Sequence, residues 1–280
     1  MRTIENPIEN IYLIIPVFTR KKETEDERQE IFLNWWDKKY REFEKFGSSA
    51  RFTLLASKKE LNIDGGKLRI RFDAPIPKGL SVRLTLLYRL YLIDKSSIGY
   101  RRKTVMICID GSGAFEFDSI FTILEGLKKQ DVVLGDRLSE SVGISSVRWE
   151  IEKFEKFLLE KKYNRSLPDA QCGCWGINAV TLKRLPLTAS NYEIEFDLMA
   201  SVLEANLGHL FINPKMSKRD RTSDFISNGD IETSIQKLPF ILHKLSLTKE
   251  DFRSLLYEYK DSLPQEYKTR AEQFIDEPPL

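Results

Sequence analysis

Two short segments of this chain are almost entirely apolar, and they limit the folds that it can adopt. They read IYLIIPVF at 11–18 and VMICI at 105–109. Both are far shorter than the roughly 20 residues of a membrane-spanning helix. Their β-branched residues are typical of strands that are buried on both faces, as in a parallel sheet. The chain is therefore expected to build its core around such a sheet.

Further strands and helices alternate with these two segments. Other strands are predicted at 51–57, 68–74 and 131–135. Helices are predicted at 25–46, with a capping box beginning at Thr24, and at 79–94, 117–129, 147–162 and 193–206. This alternation predicts an α/β fold with a mostly parallel central sheet flanked by helices. The residues from about 224 onward are predicted to form a helical tail, with Thr248 capping one of its helices.

The charge and cysteine content exclude several classes of protein. The 44 basic and 42 acidic residues nearly cancel, so the chain as a whole is not expected to bind nucleic acid. Its three cysteines, Cys108, Cys172 and Cys174, do not suit a disulfide framework, and the Cys-x-Cys spacing is a weak zinc pattern. We expect reduced, buried thiols in a soluble, cytoplasmic protein, because the N-terminus shows no signal-peptide pattern.

Asp110 ends the strand predicted at 104–110 and is followed by Gly111-Ser112-Gly113. A carboxylate at the end of a buried strand is costly unless it has a partner. Three interpretations remain open. Asp110 could cap the helix near Phe117, or it could be a turn residue, because Asp-Gly favours turns. It could also hold Mg²⁺ or Mn²⁺ together with the phosphates of a substrate, because such ions need few protein ligands. Ligands of α/β sheets bind beyond the carboxyl ends of strands, where Asp110 lies.

Seven segments occur in an order that resembles the family-2 glycosyltransferases of the GT-A type. They are IIPVFTR, KGLSVRLTLLYRLYL, ICIDGSGAFEFDSIFTILEGL, DVVLGDR, PDAQCGCWGINA, YEIEFDLMASVLEANLGHLF and KRDRTSD. The resemblance runs from about Tyr12 to Ser223 and is closest to the polyprenyl-phosphate sugar transferase branch, which includes dolichyl-phosphate mannose synthase. It implies a GT-A-like domain at 1–223 and a helical C-terminal extension at 224–280.

The resemblance also implies an activity. A member of this family moves a sugar from a nucleoside-diphosphate sugar to an acceptor, here a polyprenyl phosphate or a glycan, with Mg²⁺ or Mn²⁺ as cofactor. Such an enzyme would serve cell-envelope polysaccharide biosynthesis in the cytoplasm. Peripheral contact with the inner face of the membrane is left open.

The resemblance further assigns residues to the site. Nucleotide-sugar binding falls on Pro16, Thr19, Arg20, Gly79, Arg83, Asp110, Gly111, Arg137 and Arg221. The metal falls on Asp110 and Ser112, and the acceptor side falls on Asp169, Gln171 and Trp175. A general base is expected at Glu195 or Asp197. Residues two apart do not share a helix face, so only one of them is expected to enter the site, and Glu195 is preferred.

Two positions depart from the family pattern. The family has Asp-x-Asp where this chain has Asp110-Gly111-Ser112, and an acidic residue where this chain has Ala56-Ser57-Lys58-Lys59. One alternative is therefore a degenerate, non-catalytic GT-A-fold module that binds a nucleotide sugar or a partner. The other is a nucleotidyltransferase, although Arg20-Lys21-Lys22 lacks the preceding glycine that such an enzyme would have.

Overall fold

The computed structural model describes residues 8–16, 22–39, 41–43, 49–55, 78–96, 103–111, 115–137, 146–191, 193–216 and 227–276. The strands in these ranges are β1 (Asn10–Pro16), β2 (Ser49–Leu55), β3 (Thr104–Ile109), β4 (Val132–Gly135), β5 (Cys174–Asn178) and β6 (His209–Ile212). The α-helices are α1 (Lys22–Lys39), α2 (Lys78–Asp94), α3 (Ser119–Leu127), α4 (Ser146–Tyr163), α5 (Ala179–Leu182), α6 (Ile194–Glu204), α7 (Ser227–Leu245), α8 (Lys249–Tyr259) and α9 (Gln265–Asp276).

The strands form one sheet with the order β2-β1-β3-β5-β4-β6. Strand β5 runs antiparallel to both of its neighbours, and the other pairings are parallel. The predicted α/β fold with a mostly parallel sheet is confirmed. Strands β5 and β6 were not predicted from the sequence, and the strand predicted at 68–74 lies outside the described residues.

The apolar strands are buried because each face of the sheet carries its own core. In β3, Met106 and Cys108 belong to one hydrophobic cluster, whereas Val105, Ile107 and Ile109 belong to the other. Successive side chains of a strand point to opposite faces, so a strand between two cores must be apolar at every position. The continuous apolar pattern of the sequence thus indicates that both faces of the sheet are covered.

The C-terminal helices are part of one of these cores. Leu238 and Ile241 of α7, Phe252 of α8 and Tyr267 of α9 lie in the same cluster as Met106 of the central strand. All four side chains are fully buried. Helix α7 also packs against α4 and α6. Residues after 227 therefore complete the hydrophobic core on this face of the sheet.

Two helix starts were predicted with different success. Helix α8 begins after Thr248, whose hydroxyl accepts a hydrogen bond from the Asp251 N–H, as predicted. Helix α1 begins at Lys22, so the capping box predicted to begin at Thr24 is wrong. None of the helices in the described ranges combines the length and the apolar character that a bilayer span requires.

Candidate active site

Asp110 lies at the carboxyl edge of the sheet and is fixed by its backbone. Its N–H donates to the carbonyl oxygen of Gly173 at 2.8 Å, and the N–H of Gly111 donates to the carbonyl oxygen of Pro16 at 2.9 Å. Pro16 ends β1 and Gly173 precedes β5, so both neighbouring strands hold this turn. The N-cap of α3 is Asp118, which excludes the interpretation of Asp110 as a helix cap.

Glu195 and Asp110 face the same small space. Gly173 lies between them, and a Cβ added to it would sit 3.5 Å from Asp110 Oδ2 and 3.5 Å from Glu195 Oε1. The two carboxylate oxygens are therefore no further apart than twice this distance. Glu195 is in the first turn of α6 and is buried, whereas Asp110 is half-buried. A side chain at Gly173 would crowd both carboxylates, and the space between them is here called the cleft.

Asp197 has a different environment from Glu195. Its Oδ2 accepts the backbone N–H groups of Thr188 at 2.5 Å and Ala189 at 2.7 Å. Its Oδ1 lies 2.7 Å from Nζ of Lys244 on α7. Asp197 is fully buried, so these contacts compensate its charge and hold the loop before α6. The geometry favours Glu195 over Asp197 as the carboxylate that faces the cleft.

Arg137 follows β4 and lies in a buried ionic network. Its Nε donates to Asp169 Oδ2 at 2.9 Å, and its Nη2 donates to Glu152 Oε2 at 2.9 Å. Burial opposes the charged guanidinium, but the charges of Asp169 and Glu152 outweigh burial and raise the pKa of Arg137. Burial likewise opposes the charge of Glu152, and Arg137 and Arg148 outweigh it and lower the pKa of this carboxyl. This geometry favours a structural role for Arg137 over the predicted phosphate contact.

The residues predicted on the acceptor side also serve the fold. Asp169 accepts the N–H of Gln171 at 2.8 Å in addition to its bonds with Arg137. Gln171 Oε1 accepts from Nζ of Lys237 at 2.8 Å. Trp175 is 1% exposed because it lies on β5, between two paired strands and inside a core cluster. The prediction that the Trp175 ring is a platform for the acceptor is therefore corrected to a core role.

Gly79 and Arg83 bring α2 against the loop that precedes α6. A Cβ on Gly79 would lie 2.0 Å from the carbonyl oxygen of Asn191, so only glycine allows this approach. Arg83 donates to the carbonyl oxygen of Thr188. The structure brings these two predicted residues near the α6 N-terminus, from which Glu195 projects. Thr19, Arg20, Ser112 and Arg221 lie outside the described residues.

The sequence analysis missed two lysines of α7, the buried Lys237 and the half-buried Lys244. Lys237 lies 2.8 Å from Glu155 Oε1 on α4, and Lys244 contacts Asp197. Burial raises the pKa of Glu155, and Lys237 opposes this shift. The helical spacing places both lysines on the same face as the buried Leu238 and Ile241. A lysine among the apolar positions of a helix is the sequence signal that could have identified them.

No group of three or more histidine, cysteine, aspartate or glutamate side chains in the described ranges could hold a metal ion by itself. Asp110 does offer carboxylate oxygens at the carboxyl edge of the sheet. Oxygen donors suit Mg²⁺ and Mn²⁺, which keep few protein ligands and take the others from phosphate and water. The residues present therefore fit a hard divalent cation that a phosphate-bearing ligand helps to hold.

The three thiols provide a first prediction. Cys108, Cys172 and Cys174 are 1%, 7% and 0% exposed, and burial raises the pKa of both Cys172 and Cys174. A protonated, inaccessible thiol is a poor nucleophile. We expect the native protein to show essentially no reaction with Ellman's reagent at mildly alkaline pH, and three thiols to react in guanidinium chloride. Fast labelling of one thiol in the native protein would contradict this placement.

Comparison with known proteins adds evidence on the fold. No family profile and no curated protein matches the sequence. The structure of Mycobacterium tuberculosis glucosyl-3-phosphoglycerate synthase in complex with phosphoglyceric acid has a TM-score of 0.51 with this chain. Their identity is 14%, over 85% of this chain and 81% of that chain.

Two further structures have slightly lower TM-scores with this chain. Another structure of the M. tuberculosis synthase gives a TM-score of 0.49 at 14% identity, with 85% of this chain and 81% of that chain covered. Mannosyl-3-phosphoglycerate synthase from Rubrobacter xylanophilus gives 0.48 at 11% identity, with 84% and 74% covered. Identities this low speak to architecture alone. The strand order and the similarity with a TM-score of 0.51 show that the chain has a GT-A-type α/β fold.

Proposed function

We propose that this protein is a glycosyltransferase that moves a sugar from a nucleoside-diphosphate sugar to an acceptor. The observation that carries the proposal is the cleft in which Asp110 and Glu195 face each other across Gly173. This cleft lies at the carboxyl edge of the central sheet, where α/β folds bind their ligands. The order of segments that resembles the family-2 glycosyltransferases predicts these two carboxylates as site residues.

In this proposal Asp110 holds a divalent cation together with the diphosphate of the donor. The cation supplies neutralisation of the negative charge that the leaving nucleoside diphosphate acquires. Gly111 follows Asp110 in the backbone turn that Pro16 and Gly173 fix, so the backbone that carries the carboxylate is held in place before the donor binds. Ser112, Arg20 and Arg221 remain candidates for further contacts with the phosphates.

Glu195 is the proposed general base when the acceptor is a hydroxyl group, as in a glycan. It is buried beside the cleft and faces the space that Asp110 also faces. An acceptor phosphate, as in a polyprenyl phosphate, is already anionic and needs no base. The two acceptor classes therefore differ in their demand on Glu195. A structural neighbour was solved with phosphoglyceric acid, and this compound belongs in the acceptor panel as a third class.

Buried hydrogen bonds and ion pairs hold the loops that border the cleft. Asp169 and Gln171 precede Gly173 in the chain and are held by Arg137 and Lys237. We propose that these two residues shape the loop on the acceptor side and do not contact the acceptor. Asp197 holds the loop that receives Gly79 and Arg83, so the start of α2 is set at the same place.

A thermal-shift panel tests the proposal directly. The protein is melted with UDP, GDP, CMP and their common sugar conjugates, each with and without Mn²⁺. We expect one nucleoside diphosphate to raise the Tm by about 5 °C at saturating concentration, because a ligand that binds only the native state stabilises it. The shift should require Mn²⁺. Stabilisation without any sugar transfer would identify a binding module, and no shift with any nucleotide would contradict both functions.

A further inference from the structure

Helix α2 has apolar side chains on two opposite faces. On the inner face Val82, Leu86 and Ile93 are at most 2% exposed and pack in the core beside β1. The outer face carries five large apolar side chains that are 38–57% exposed. These five, here called the α2 stripe, are Leu84, Leu87, Tyr88, Tyr91 and Leu92. Their spacing of three and four residues places them side by side on one face.

The α2 stripe is unusual for this protein. Seven large hydrophobic side chains are exposed in the described part of the chain, and five of them belong to the stripe. A helix that is apolar on all sides is normally covered on all sides. Exposed apolar side chains that are scattered need no explanation, but a contiguous patch marks an interaction site. The stripe therefore calls for a partner that covers it.

The charge of the surrounding sequence indicates the chemistry of that partner. Between Lys78 and Lys103 the sequence has seven basic residues and one acidic residue, whereas the whole chain has a net charge of only +2. One of the seven, Arg89, is 3% exposed and lies over the Tyr12 ring, so it does not face a partner of the stripe. Two surface ion pairs do not change this excess. The acidic residue, Asp94, pairs with Lys183, and Lys103 pairs with Glu9. Lys183 and Glu9 lie outside this stretch and have opposite charges, so together they add no net charge to it. The stripe thus lies in the most basic stretch of a nearly neutral protein.

Basic and amphipathic side chains also border the stripe itself. Lys95 Nζ lies 5.1 Å from the centre of the Tyr91 ring at one end, and Arg83 is half-exposed beside Leu84 at the other. Tyrosine has an apolar ring and a polar hydroxyl, and it is enriched where a protein meets the boundary between hydrocarbon and water. Leucines flanked by lysine and arginine complete the pattern of a helix that lies in a membrane interface.

We propose that the α2 stripe docks on the anionic surface of a lipid bilayer, with α2 parallel to the membrane plane. The leucines and tyrosines enter the headgroup region, and the exposed Lys95 beside Tyr91 contacts anionic lipids. A second copy of the chain fits less well, because a two-fold interface through α2 would bring two strongly basic segments together. This docking goes beyond the glycosyltransferase function and does not depend on it.

Vesicle flotation with the 280-residue chain tests the proposal. Vesicles of phosphatidylcholine alone are compared with vesicles that also contain phosphatidylglycerol. We expect the protein to float with the anionic vesicles, at least about tenfold better than with the neutral ones, and high salt to reduce binding. No flotation with anionic vesicles at low salt would overturn the proposal.

Variants on two helices distinguish binding through the α2 stripe from nonspecific binding through any exposed aromatic side chain. Leu87→Ser combined with Tyr91→Ser should lower binding about tenfold, because it removes two of the apolar side chains that enter the interface. The matched control is Tyr257→Ser on α8, where Tyr257 is 50% exposed and lies under Lys260 much as Tyr91 lies under Lys95. The control should bind like wild type, and an equal loss in both variants would overturn the proposal.

A charge reversal keeps the test valid if the double variant does not fold. Lys95→Glu changes an exposed residue and leaves the α2 stripe intact, so it should reduce binding to anionic vesicles severalfold without lowering the Tm. Unchanged vesicle binding by Lys95→Glu would contradict the electrostatic part of the proposal. Light scattering provides the remaining check. If wild type is a dimer that the stripe variants convert to a monomer, a second copy of the chain covers the stripe and the proposal is wrong.

Discussion

Replacing Asp110 with asparagine should lower the rate of sugar transfer by at least about a thousandfold and should abolish the Mn²⁺-dependent rise in Tm. Asparagine has the shape of aspartate but carries no negative charge, so a divalent cation loses the anchor proposed here. The backbone bonds of Asp110 and Gly111 to Gly173 and Pro16 do not involve the side chain. The fold should therefore survive the change, and the Tm without nucleotide should stay close to that of wild type.

Asp131→Asn is the matched control for this experiment. Asp131 is also an aspartate beside a strand of the sheet, but it is exposed and precedes β4 at the opposite, amino edge. The substitution removes the same charge from the protein, so it corrects for any effect of net charge on nucleotide binding. Its transfer rate and its Mn²⁺-dependent Tm shift should match those of wild type. Equal activity in Asp110→Asn and wild type would return Asp110 to the role of a turn residue.

Glu195→Gln extends the comparison to the acceptor. With a glycan acceptor the rate should fall strongly, because the hydroxyl loses its proposed base. With a polyprenyl phosphate the rate should change little, because the acceptor is already anionic. Nucleotide binding should persist in both cases, which separates a defect in Glu195 from a defect in the metal anchor.

The sequence predicted the central strands well because their burial leaves a direct trace. A strand between two cores must be apolar at every position, and β1 and β3 show this pattern. It also places Asp110 at a strand end, because the pattern stops there. Strand β5 leaves no such trace, because a glycine interrupts the apolar residues of CWGIN and the segment ends in a polar asparagine. Its pairing with β3 and β4 follows from the assembled sheet and cannot be read from the segment alone.

The roles of the charged residues were harder to predict than the strands. Arg137 is 32 positions from Asp169 and 15 positions from Glu152, and only the folded chain brings them together. The spacing Gly-x-Arg therefore suggested a phosphate contact, although the arginine is enclosed by carboxylates. For Glu195 and Asp197 the helical period carried more information. It predicts that only one of them faces the cleft, and the two carboxylates have different neighbours in the structure.

Replacing Arg137 with methionine should lower the free energy of unfolding by about 3–5 kcal/mol. Methionine fills a similar space, so the main cost is electrostatic. Asp169 and Glu152 would remain in the interior without the guanidinium that compensates both of their charges. Urea denaturation followed by circular dichroism measures the change.

The control for Arg137→Met is Arg253→Met, which removes the same side chain from a surface ion pair. Arg253 Nη2 lies 2.6 Å from Asp276 Oδ1, and the two side chains are 41% and 71% exposed. Water solvates Asp276 when its partner is lost, so the loss of stability should be below about 1 kcal/mol. Adding Glu152→Gln to Arg137→Met should recover only a small part of the lost stability, because Glu152 keeps its ion pair with Arg148 whereas Asp169 still lacks the guanidinium. If Arg137→Met costs no more than Arg253→Met, the network does not hold the loop that leads to Gly173, and the support proposed for the cleft must come from elsewhere.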